Sequence, residues 1–187
     1  MLRFVTGNTG KVREAREYLP IPIERIDFEY VEIQSPDLHE IAAAGAREAA
    51  AAVGDDDPII VEDSGLFIDG IGGFPGPYSA YVEDTIGVDG VWRLAERECE
   101  PPRRARFRSV IAIVADGEVE TIEGTVRGRI VAPRGSGGFG YDPIFEHTGR
   151  TFAELTTAEK NAVSHRGRAL AALAEWITAH QPTAGQG

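Results

Sequence analysis

Apolar and polar positions alternate along the chain in two different periods, and the switches between them outline the elements. Residues 2–6 read as a short strand running into Gly7-Asn8-Thr9-Gly10, a turn-forming run. Val12, Ala15 and Leu19 then share one face of a helix over residues 11–19, which Pro20 and Pro22 end. Residues 26–33 alternate as a strand, and residues 38–53 form an alanine-rich helix after Ser35-Pro36-Asp37. Residues 55–58 are a solvated turn. Ile59-Ile60-Val61 is a continuous apolar, β-branched run, the pattern of a strand covered on both faces, and it stops at Glu62-Asp63-Ser64. Residues 70–81, rich in glycine and proline, read as an ordered loop before a helix over 87–98. Strands are expected at 105–115 and 118–130, joined at Asp116-Gly117, the signature of a type I′ hairpin. A glycine-rich loop follows at 133–140. A last helix reaches His180 from either Thr157, where Thr156 and Glu159 form a capping-box pattern, or Ser164. Residues 181–187 read as a disordered tail.

Strands that alternate with helices predict an α/β protein, and the hairpin makes its sheet mixed. A chain of 187 residues fits one domain, residues 1–180, with two lobes around a shared sheet. Cys99 is the single cysteine, so no intrachain disulfide forms, and Glu98 and Glu100 beside it disfavour a reactive thiolate. No run approaches the roughly 18 apolar residues that cross a bilayer, and the start lacks a signal-peptide core, so the expected location is the cytoplasm. The net charge of −11 repels nucleic acid and anionic membrane, neither of which is expected as a partner. It also repels free nucleotide, so a nucleotide enzyme with this surface needs a locally positive pocket and a bound cation. Of 19 basic residues, 17 are arginine and only Lys11 and Lys160 are lysine. Where lysine is so rare, those two are candidates for sites that need a compact ammonium.

Four segments could carry chemistry. Thr6-Gly7-Asn8-Thr9-Gly10-Lys11 joins a strand to a helix, so backbone N–H groups, the positive helix end and an ammonium can converge on phosphate. It is not a Walker A loop, and the same pattern also describes a plain turn. Glu62-Asp63-Ser64 places neighbouring carboxylates at a strand end, where a bound cation relieves their repulsion; oxygen ligands alone select Mg²⁺ or Mn²⁺. Asp63 reads equally as a turn residue capping the next element. Glu40 is a further candidate ligand, whereas the dispersed His39, His147, His165 and His180 have no zinc spacing. Phe139-Gly140-Tyr141-Asp142 offers aromatic faces to a planar base and a carboxylate to its ring N–H groups, or else a tight turn whose aromatics enter the core. Lys160, Ser164, His165 and Arg166 supply donors at the start of the last helix. Arg103, Arg104, Arg106 and Arg108 form the one basic cluster and read as a solvated or dimer-facing strand.

In order, these segments resemble the inosine triphosphate pyrophosphatase family. The matching motifs are Thr6 to Lys11, Glu62-Asp63-Ser64-Gly65-Leu66, Gly72-Gly73-Phe74-Pro75-Gly76-Pro77-Tyr78, Phe139 to Phe145, and Thr151 to Leu155 followed by Glu159 to Arg166. Val131-Ala132-Pro133-Arg134-Gly135 resembles the eukaryotic and archaeal branch. The resemblance implies a two-lobed α/β fold with a long twisted mixed sheet, a cleft between the lobes, and a homodimer. It implies hydrolysis of non-standard purine triphosphates (ITP, dITP, XTP) to monophosphate and pyrophosphate. Thr6, Gly7, Asn8, Thr9, Gly10 and Lys11 would then hold the phosphates. Glu40, Asp63 and Glu62 would bind Mg²⁺, with Mn²⁺ as a substitute. Asp63 would be the general base and Ser64 would touch substrate. Phe139, Gly140, Tyr141, Asp142, Lys160, His165 and Arg166 would form the base pocket. Glu62 stands where many bacterial relatives carry aspartate.

Overall fold

Two long strands organise the molecule. β5 (Arg104–Ala115) and β6 (Glu118–Ile130) pair antiparallel along their whole length, turning at Asp116-Gly117. Both turn residues have positive φ, 51° and 79°, as a type I′ turn requires. A computed structural model describes residues 1–54 and 56–180; the expected tail at 181–187 and Asp55 of the expected turn lie outside them.

The elements that precede the hairpin are β1 (Leu2–Val5), α1 (Thr9–Tyr18), β2 (Ile23–Ile26), α2 (Leu38–Val53), β3 (Ile59–Ile68), β4 (Pro75–Gly76) and α3 (Ser79–Glu98). After it come β7 (Phe145–His147), β8 (Arg150–Thr151), α4 (Thr157–Val163) and α5 (His165–His180). The eight strands form one sheet in the order β2-β1-β3-β5-β6-β7-β8, with β4 alongside β3. β1 is parallel to β2 and β3, and every other pairing is antiparallel, so the sheet is mixed as expected.

Side-chain alternation along β3 assigns its two faces. Ile60 packs with Phe4, Ile111 and Ile113 under α1 and α5, while Ile59 and Val61 pack with Val110, Ala112 and Val114 under α2. Beyond residue 65 a separate core gathers Leu66, Ile68, Phe107, Val126 and Phe145 under Val82, Val91 and Ala95 of α3. The two lobes therefore share the long strands.

Four expectations are corrected. β3 does not end at Glu62 but continues to Ile68, pairing with β5 over ten residues, because the polar residues lie where the sheet passes between the lobes. The strand expected at 26–33 is β2 at Ile23–Ile26 only. The alternation of Ile26, Phe28 and Tyr30 instead records their packing against the α2 core. α3 begins at Ser79 rather than residue 87 and breaks at Gly87 (φ 70°, ψ 175°); its first stretch buries only Ser79 and Val82, too little for an apolar stripe. The last helix is two helices. α4 carries the Thr156–Glu159 capping box, and Ser164, extended between them, accepts a hydrogen bond from Gly167 N.

Candidate active site

The turn from β1 into α1 is ordered by its own side chains. Asn8 caps the helix, its Oδ1 accepting from Gly10 N (2.8 Å) and Lys11 N (3.3 Å), and Thr6 Oγ1 accepts from Asn8 N (3.1 Å). Thr6, Gly7, Asn8 and Lys11 line a cleft of about 650 Å³, whereas Thr9 and Gly10 form the first helical positions outside it. A Cβ on Gly7 would meet nothing within 4 Å, so the turn is open toward a ligand. Lys11 reaches across to β3, donating to the carbonyl oxygen of Glu62 at 2.9 Å and lying 2.8 Å from its Oε2.

Because β3 stays extended, Glu62 and Asp63 leave it on opposite faces. Glu62 joins the α1/α5 face, where Ser109 Oγ donates to Oε1 at 2.7 Å and Arg166 Nε at 3.2 Å. Burial alone would raise its pKa, but Arg166 and Lys11 outweigh it and hold the carboxyl well below the usual range. Asp63 faces the α2 side, where Oδ1 accepts from Ser64 N (2.8 Å). Burial pushes its pKa up to about 6; Lys11 and the Ser64 N–H oppose the rise while Glu62 and Glu32 add to it.

The α2 side of the cleft is a segment whose chemistry the strand expectation hid. Phe28, Glu29, Tyr30 and Glu32 all line it. In a strand Glu29 and Glu32 would point opposite ways; in the irregular segment both reach the cleft wall. The segment is fastened to α2. Val31 N donates to the Glu48 carboxylate, and the Tyr30 ring lies so close to Gly45 that a Cβ there would come within 2.5 Å. Glu40 does not line the cleft; it is exposed, and its carboxylate accepts from Ser35 Oγ at 2.6 Å. Among the described residues no three His, Cys, Asp or Glu side chains form a metal cage. Mg²⁺ rarely has one, being held by one or two carboxylates together with waters and substrate phosphates. Asp63, with Glu32 near enough to raise its pKa, is a donor set of that kind.

The opposite end is aromatic and cationic. Phe139 is 57% exposed, with Lys160 Nζ 4.1 Å from its ring centroid. Asp142 is already engaged, paired with Lys160 at 2.5 Å and accepting from Phe139 N at 2.9 Å, so it orients the lysine and the turn. Tyr141 is buried, and its hydroxyl donates to the Ser79 carbonyl, tying the turn to α3. His165 stacks on Phe107 with ring centroids 4.7 Å apart. Burial, then Arg166, lowers its pKa to about 3, so the ring is neutral, and its buried Nδ1 has no hydrogen-bond partner among the described residues. Gly140 closes this end opposite Glu83, whose Oε2 a Cβ there would approach to 3.2 Å. Arg104, Arg106 and Arg108 share one face of β5, with Arg129 and Arg127 opposite the first two; Arg108 pairs with Glu123 at 2.8 Å, Arg106 lies near Asp69, and Arg103 donates to α3.

Fold and cleft together define an α/β protein with one wall of carboxylates, one cationic aromatic end and a helix N-terminus facing the space between. The chain belongs to the Ham1 family, whose model matches residues 2–176. That bears out the resemblance read from the motifs. It is 52% identical to a dITP/XTP pyrophosphatase of Methanopyrus kandleri over 92% of this chain and 94% of that protein, and 50% identical to one of Thermococcus kodakarensis over 94% and 96%. A HAM1 protein from Coxiella burnetii has the same fold, with a TM-score of 0.86, 34% identity, and 96% of this chain and 100% of that one covered. A nucleoside-triphosphatase (dITP/XTP pyrophosphatase) from Mycobacterium abscessus matches with a TM-score of 0.75 and 35% identity over 92% and 98%.

Proposed function

We propose that this chain hydrolyses non-standard purine nucleoside triphosphates (ITP, dITP and XTP) to the monophosphate and pyrophosphate. The observation that carries the reading is one cleft lined by Lys11 beside a helix N-terminus, by Asp63, and by Phe139, Lys160 and His165. Relatives about half identical over nearly the whole chain are dITP/XTP pyrophosphatases. Thr6, Gly7, Asn8 and Lys11 receive the phosphates. Asp63 takes the proton from a water whose oxygen attacks the α-phosphorus, and the α–β bridging bond breaks to release pyrophosphate. Asp63 and Glu32 are the residues that would hold Mg²⁺, which when bound offsets negative charge on the phosphates. Lys11 is placed to stabilise charge on the departing pyrophosphate.

At the other end the base lies on Phe139. Lys160, oriented by Asp142, donates to the 6-keto oxygen of hypoxanthine or xanthine, with His165 lining the cleft beside it. Adenine's 6-amino group leaves the lysine donor unpaired, which discriminates against ATP. Two copies assemble as a homodimer in the cytoplasm; Phe74, Tyr78, Tyr81 and Ile86 stay exposed before and along α3 and supply an apolar face, and light scattering checks the stoichiometry. Among the described residues no helix is long and apolar enough to cross a membrane.

The test compares products from ITP, XTP, dITP, GTP and ATP with Mg²⁺, with Asp63→Asn as control. Pyrophosphate and monophosphate from the 6-keto substrates are expected. A nucleoside diphosphate product would identify a phosphotransferase, and tight binding without turnover a nucleotide sensor; either result overturns the reading.

A further inference from the structure

We propose that Glu62 is a positioning residue that yokes Lys11 to Arg166, so that the phosphate and base ends of the cleft respond to the substrate as one unit. The inference rests on the proposed function, in which Lys11 receives the phosphates and Phe139 the base; the Arg166 guanidinium lies 5.9 Å from the Phe139 ring centroid.

The geometry is specific. The Glu62 side chain is 1% exposed and sits between cations from two different helices, with Lys11 Nζ 2.8 Å from Oε2 and Arg166 Nε 3.2 Å from Oε1. Ser109 Oγ fixes Oε1 at 2.7 Å, and Glu14 holds the far side of the guanidinium at 3.1 Å. A buried guanidinium and a half-buried ammonium this close to each other repel, and Glu62 is the carboxylate that both of them contact.

The two oxygens are not equivalent. Oε1 accepts from Ser109 Oγ and Arg166 Nε, whereas Oε2 faces Lys11 at 2.8 Å, whose ammonium also donates to the Glu62 carbonyl oxygen. Lys11 carries three rotatable donors on a flexible stem. It can turn onto a phosphate while its bond to the backbone remains. When it does, the ammonium no longer offsets the carboxylate's pull on Arg166, and that contact tightens. Strand alternation makes the arrangement possible: Glu62 faces away from the Asp63 wall, where a cation would be held.

The test is a double-mutant cycle repeated in two backgrounds, using the full chain and kcat/KM for ITP. Lys11→Gln and Arg166→Gln are combined, first with Glu62 present and then with Glu62→Gln. With Glu62 present, the double variant should lose about tenfold less than the product of the single losses, the size expected of coupled neighbours. With Glu62→Gln the two losses should multiply, while the Mg²⁺ concentration for half-maximal rate stays unchanged. A residue that only supported the fold would scale all variants alike and leave the coupling intact. Should Glu62→Gln fail to fold, Glu62→Asp takes its place, since a carboxylate one methylene shorter cannot span both cations and should lower the coupling.

Coupling that survives the loss of Glu62 overturns the proposal, as does a severalfold rise in the Mg²⁺ requirement, which would make Glu62 a metal ligand. Should the unmodified chain release no pyrophosphate from any purine triphosphate, the proposed function fails and the yoke with it. If it turns ITP over while coupling persists without Glu62, only the yoke fails.

Discussion

Glu62 and Asp63 are chain neighbours of nearly the same chemistry, yet the two faces of β3 give them opposite properties. Glu62 meets two cations and a hydroxyl on the α1/α5 face, and its pKa falls. Asp63 meets burial, Tyr30 and further acids on the α2 face, where Lys11 only partly compensates, and its pKa rises to about 6. The contrast shows how a strand divides an acidic pair between two tasks. One carboxylate is satisfied inside the protein and orders other groups. The other is left short of positive charge, which a cation or a proton must supply.

The largest expected effect follows from the unsatisfied acid. Asp63→Asn should lower kcat by about 10³-fold, the middle of the range for losing a general base, without lowering the melting temperature. Steady-state pyrophosphate release and a thermal melt check both halves, and activity above a tenth of normal would break the comparison. Stability should respond in the reverse order. Glu62→Ala strands Lys11 and Arg166 without their shared counter-charge and should cost about 3–5 kcal/mol in urea unfolding, the range for breaking a buried ion pair. If Asp63→Ala costs as much, the two faces are not different in kind.

Much of this is legible in the chain, and the expectations that the structure corrects share a physical cause. The hairpin, α1, α2 and the α4 cap each declare themselves locally, through Asp116-Gly117, Asn8, Asp37 and Thr156-Glu159. Lys11, Asp63, Phe139 and Lys160 stood out because their types were rare or their neighbours unusual, and all four line the cleft. What periodicity could not give was the partner of each face. Phe28 and Tyr30 alternate like strand residues but pack on α2, so periodicity gives no sign that Glu29 and Glu32 line the cleft, whereas Glu40, in the first turn of α2, lies outside its lining. Glu62 and Asp63 likewise look, in sequence, like a pair at a strand end. Only the continuation of β3 to Ile68 reveals that they diverge.

The acidic segment offers a smaller perturbation of the Asp63 face alone. Gly45→Ala places a methyl within 2.5 Å of the Tyr30 ring, and overpacking of this kind costs about 1–3 kcal/mol where neighbours cannot move. Residues 27–37 lack regular secondary structure, so Tyr30 should yield and carry Glu29 and Glu32 with it. The expected signature is a severalfold higher Mg²⁺ requirement with a stability loss toward the low end of that range. A Mg²⁺ titration of the rate and a urea melt measure the two. A large stability loss with unchanged Mg²⁺ dependence would mean that the segment is rigid and that Glu32 takes no part.

The smallest effect tests the Glu62 face through acid. His165 is neutral in the folded protein because burial, and then Arg166, lower its pKa from 6.5 to about 3. The unfolded chain therefore binds a proton here that the folded chain refuses between those two values. Stability from this group is complete above pH 6.5 and is lost progressively as pH falls toward 3. His165→Phe keeps a ring against Phe107, whose centroid lies 4.7 Å from that of the imidazole, and removes the titration. Its unfolding free energy should fall less steeply than that of the unmodified protein between pH 6.5 and 4, with the two curves parallel above 7. Equilibrium unfolding in urea across that range measures the difference in slope. Parallel curves throughout would mean that the imidazole accepts a proton in place, through an Nδ1 unpartnered among the described residues, and that the cations on this face are held less rigidly than Glu62 implies.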